Sequence, residues 1–126
     1  MPSWLTAIVN QLKKRRAEYL FPERKYQVTL AHPLFSVSNP SGELFEASLN
    51  CLEKIEVITT DAGPWAADVW YVFSFSSGTI SFPQGAMGDK AAVDYLLSLP
   101  DFNELQFILA MSSSDNARFL CWQKAE

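Results

Sequence analysis

The stretch "TTDAGPWAADVWYVF", residues 59 to 73, carries two aspartates, Asp61 and Asp68, around a turn. Two carboxylates share general acid and base work when their surroundings drive their pKa values apart. Asp61, however, stands before Ala-Gly-Pro, where an aspartate side chain bonds backbone amides two residues on, and Asp68 opens a strand. The pair therefore reads as turn acids, and its spacing supplies too few oxygens for a hard metal ion. His32, the single histidine, precedes Pro33 at a strand bend and reads as structural or solvent-exposed. A nucleophilic site would need His32 gathered with Cys51 or Cys121. The two cysteines are distant in sequence, form no CxxC pair, and read as buried free thiols. Gly85 and Gly88 precede a helix, as in phosphate cradles, but the spacing matches no nucleotide motif, and Asp89 would repel an anion from that helix end. The expectation is a protein without catalytic residues, cofactor or metal.

A binding role is the better use of the same turn. Trp65 sits between Pro64 and small alanines, either packed over a sheet edge or exposed among acids, where an indole is a strong interface anchor. Glu53, Glu56, Asp61, Asp68 and Trp65 form the candidate partner-binding surface.

Several elements must position these residues. Trp4, Leu5, Ile8, Val9 and Leu12 recur at helical spacing behind Ser3, which predicts an amphipathic helix over 3–20 that Pro22 stops. From Tyr26 the period becomes two. "YQVTLA", "LFSVS", "ELFEAS", "EKIEVITT", "DVWYVFSF" and "SSGTISF" read as strands joined by short links, hence antiparallel. Helical spacing returns at 89–99, where Ala92, Tyr95, Leu96 and Leu99 share a face. A second helix is expected over 101–111, with Asp101 and Glu104 as a capping box and Phe102, Leu105, Ile108 and Leu109 as its apolar stripe. A last strand covers 117–122. The expected fold is α+β: one curved antiparallel meander of five to six strands across 26–82, resembling pleckstrin-homology domains, in a single domain with one N-terminal and two C-terminal helices.

Composition narrows the function classes. The 126 residues are 48% hydrophobic, enough for a core without metal or disulfide staples. No apolar run approaches the roughly 20 residues of a membrane span, and the N-terminus lacks the order of a signal peptide, so a cytoplasmic protein without stable membrane insertion is expected. A net charge of −4 argues against nucleic acid as partner. Charge is uneven: Lys13, Lys14, Arg15 and Arg16 form a basic block, whereas 43–115 holds eleven acids against Lys54 and Lys90. The block is either the solvated end of a helix or a patch for anionic head groups, as in a membrane-surface adaptor. The acidic segment favours a basic protein partner.

The stretch from Ile55 to Trp122 resembles a group of small, mostly uncharacterised bacterial proteins. The pattern is carried by Thr59 to Pro64, Asp68 to Phe73, Phe82 to Gly88, Leu99 to Phe102 and Ala110 to Trp122, with Asp101 where similar sequences often have glycine. The element order is also similar to immunity proteins that protect bacteria from contact-delivered toxins. That resemblance implies a small acidic inhibitor that occludes a basic toxin domain by shape and charge complementarity.

Overall fold

The structure is a computed structural model describing residues 22–61 and 68–125. After a short 3-10 turn, Pro22–Lys25, the chain forms β1 (Gln27–Ala31), β2 (Leu34–Ser38), β3 (Leu44–Ser48), β4 (Leu52–Thr59), β5 (Val69–Phe75) and β6 (Gly78–Pro83). Helices α1 (Asp89–Ser98) and α2 (Glu104–Met111) follow, and β7 (Ala117–Gln123) closes the order. The helix expected over 3–20 lies outside the described residues.

The α+β class holds, but the single meander does not. The strands form two antiparallel sheets, β1-β2-β3 and β6-β5-β4-β7, with two helices among the described residues. The break falls between β3 and β4. Ser48 accepts a hydrogen bond from the Asn50 amide at 3.2 Å and caps a 3-10 turn over Leu49–Cys51, which carries the chain from one sheet into the other. Leu49 and Leu52 are buried on either side of this turn, so the crossing is anchored in the core. β7 then returns to the free side of β4 and places β4 in the interior of the larger sheet.

Alternation decides which faces meet. Phe35 and Val37 of β2 point at Phe73, Phe75 and Phe82 of the larger sheet, and all five are buried. The Phe35 ring lies nearly parallel to Phe73, at 4.9 Å between centroids and 14° between planes. Val69, Tyr71, Phe73 and Phe75 form the inner face of β5, beside Ile55, Val57 and Thr59 of β4. Fully burying side chains of this size is worth about 1.5–3 kcal/mol each, so this aromatic seam is the main cohesion between the sheets. α1 packs on β1 through Ala92 and Leu96, while α2 covers the β4–β7 side.

The turn before α1 ties these parts together. The Val28 amide donates to the Met87 carbonyl at 2.7 Å, and the Met87 amide donates to the Tyr26 carbonyl at 2.9 Å. Gly88 turns into the helix with φ of +81°, and a Cβ there would collide with the Val28 carbonyl oxygen. Glycine is required on both counts. The Asp89 carboxylate accepts from the Gly85 amide at 2.9 Å, so an acid of the chain itself occupies this loop.

Candidate protein-binding surface

α2 is built from a turn that the last strand holds. The Trp122 indole N–H donates to the Pro100 carbonyl at 3.0 Å, and the Asn103 amide donates to the Cys121 carbonyl at 2.7 Å. Asn103 caps the helix, its side-chain oxygen accepting from the Gln106 amide at 3.0 Å. The expected cap, Asp101, lies in the preceding turn with φ of 62°, so the helix starts at Glu104 rather than at 101. Asn103 takes the cap position because it stands directly before Glu104 with its side-chain oxygen in reach of the Gln106 amide, whereas Asp101 is two residues earlier.

The apolar stripe of this helix faces the opposite way from the sequence expectation. Ala110 is buried, and Phe107 and Met111 pack against the core with Phe102. Leu105 is 64% exposed, Ile108 61% and Leu109 45%. These three stand at i, i+3 and i+4, one continuous face. Glu104, four residues before Ile108, is exposed at its N-terminal end, where its charge also favours the helix dipole. An eight-residue helix that is apolar on both sides has been given one side too many for its own core.

The residues singled out by sequence are not brought into one patch. Glu53 and Asp61 are exposed at opposite ends of β4, about 25 Å apart at 3.3 Å per residue. Asp61 and Asp68 are exposed together at the end of the β4–β5 pair, where the Thr60 amide donates to the Asp68 carbonyl at 2.8 Å and the Asp61 amide to the Asn116 side chain at 3.2 Å. Trp65 lies outside the described residues. Glu56 is 6% exposed on the outer face of the larger sheet. Its carboxylate accepts from the Arg118 guanidinium at 3.2 and 3.3 Å and pairs with Lys54 at 3.4 Å. That carboxylate is already matched by two cations and is a structural acid.

The nucleophile candidates are equally separate in character. His32 is exposed at the β1–β2 turn, its ring 6.1 Å from that of Tyr95. Both cysteines are free, but Cys51 is exposed, against the expectation that both are buried, because it ends the sheet-switching turn. Cys121 is buried, which pushes its thiol up to about 11. Burial, with Asp89 nearby, likewise pushes the Tyr71 phenol up to about 12. Both are held neutral at physiological pH and serve as core. Among the described residues no group of three or more His, Cys, Asp or Glu side chains is arranged to hold a metal ion, and no helix is long and apolar enough to cross a membrane. The basic block 13–16 lies outside the described residues.

Fold and surface thus define an α+β protein of two antiparallel sheets with an outward apolar helix face. Compared with protein-family models, curated proteins and solved structures, the chain matches none.

Proposed function

We propose that this chain is a protein-binding module and, most concretely, an immunity protein that neutralises a bacterial toxin by covering it. The observation that carries the reading is the exposed strip Leu105, Ile108 and Leu109 with Glu104 at its end. Apolar side chains presented on a capped, rigid helix gain by leaving water against a complementary patch. The acids of 43–115, including exposed Asp61 and Asp68, steer a basic partner toward that face without contributing much to the final affinity. Inhibition is then steric, and no group of this chain reacts.

The test is a calorimetric titration with basic bacterial toxin domains, beginning with any that is found encoded beside this gene. Ile108→Glu should weaken binding by about tenfold or more while leaving the unfolding midpoint unchanged, because the side chain is 61% exposed. Absence of binding by the unaltered chain, or full binding by the variant, removes the proposal.

A further inference from the structure

The two sheets leave an open seam on the side away from α2. Phe45 of β3 points to the inner side, opposite Val37, yet is 42% exposed because nothing among the described residues closes the seam beyond it. Two hollows of about 250 and 220 Å³ flank its ring. One is floored by Phe75 and Ile80, the other by Tyr26 and Val37, and both are bounded by β6.

Both rims are strand edges. The Asn39 amide donates to the Glu43 carbonyl at 3.0 Å and the Leu49 amide to the Pro33 carbonyl at 2.7 Å. With the β2–β3 register, bonded pairs fall at Phe45 and Ala47, so the N–H and C=O groups of Leu44 and Glu46 point away from the sheet. On β6 the Gln84 amide donates to the Val69 carbonyl at 2.8 Å, and the same alternation turns Thr79 and Ser81 outward. Pro83 blunts the end of that edge, which has one donor fewer. β3 is the better template.

We propose that β3 accepts an extended peptide of another protein as a fourth strand. Main-chain bonds form with Leu44 and Glu46, and apolar side chains two positions apart fill the hollows on either side of Phe45. Charge selects the partner. Glu46 lies on this edge and Glu43 at its start, and among the described residues no Lys or Arg lines either hollow. A basic residue between the two apolar ones therefore meets an acid across the strands. A second copy is the poorer occupant, since antiparallel self-pairing through the outward residues sets Glu46 against Leu44 or another Glu46 and offers it no base. This surface is distinct from the α2 face, so either can fail alone.

The probe is an amidated peptide of about eight residues alternating Val with Lys, followed by amide NMR and hydrogen exchange on the full chain. Slowed exchange at the Leu44 and Glu46 amides is expected, with loss of about tenfold or more in affinity when the central Val is replaced by Pro. Glu46→Lys, at an exposed site, should transfer the preference to a peptide alternating Val with Glu. Ile108→Glu should change nothing here. Protection elsewhere, indifference to the Pro substitution, or the same protection without peptide in a chain that sediments as a dimer each overturns the proposal.

Discussion

Replacing Arg118 by Met isolates the ion cluster of Glu56, Arg118 and Lys54 on the outer face of the larger sheet. The Glu56 side chain is 8% exposed, whereas Lys54 keeps 40% and Arg118 62%. At 3.2 Å and an effective dielectric near 20, the attraction between Glu56 and Arg118 is about 5 kcal/mol. Desolvation of the carboxylate offsets most of that, and water around the guanidinium screens the remainder. A net coupling of about 1 kcal/mol results, above the ~0.3 typical of open surface pairs and below the ~3–5 lost when a fully buried pair is broken. Methionine keeps an apolar stem of similar length and removes only the charged head. Urea unfolding of the parent, Arg118→Met, Glu56→Gln and the double variant closes a cycle that isolates the pair, and the coupling should shrink in molar salt. A coupling below ~0.3 kcal/mol would refute the reasoning by showing that the carboxylate is solvated.

Three further outcomes follow from the core and its turns. Gly88→Ala should cost about 2 kcal/mol or more, from left-handed backbone strain plus the collision with Val28, whereas Gly42→Ala, with φ of +85° and open space around it, should cost only about 1; equal losses at the two sites would contradict the close approach of α1 to β1. Native protein should expose one reactive thiol, Cys51, to a disulfide reagent at pH 8, and two after denaturation. Stability should also fall in alkali. Cys121 and Tyr71 are raised from 9.0 and 10.0 to about 11 and about 12, so the unfolded chain loses its protons first. Their contribution is complete below about pH 9 and disappears as pH rises to about 12, each group being worth up to roughly 3 kcal/mol. Urea midpoints at pH 8 and pH 11 measure this, and equal midpoints would contradict the burial of both groups.

Much of the local structure was legible because periodicity records burial one element at a time. Val28, Phe35 and Val37 alternate as the strands require, and Ala92 and Leu96 mark the inner face of α1. The division into two sheets was not legible. "EASLNCLEK" contains neither glycine nor proline, and whether Leu52 continues one sheet or begins another depends on Phe35 settling over Phe73, a contact between residues distant in sequence. The α2 face was misread for a related reason. Leu105, Ile108 and Leu109 satisfy helical spacing as well as Phe107, Ala110 and Met111 do, and only the position of β7 decides which set is covered, while Phe102 of the expected stripe joins the covered set. Glu56 looked like a surface acid because its partner Arg118 comes from the far end of the chain.

Hydrogen exchange on the chain alone and saturated with a toxin domain that it binds in the calorimetric titration tests the proposed binding account most directly. Protection concentrated at residues 104–111, lost in Ile108→Glu, is the predicted result. Strong binding that leaves α2 exchanging at its free rate would contradict it.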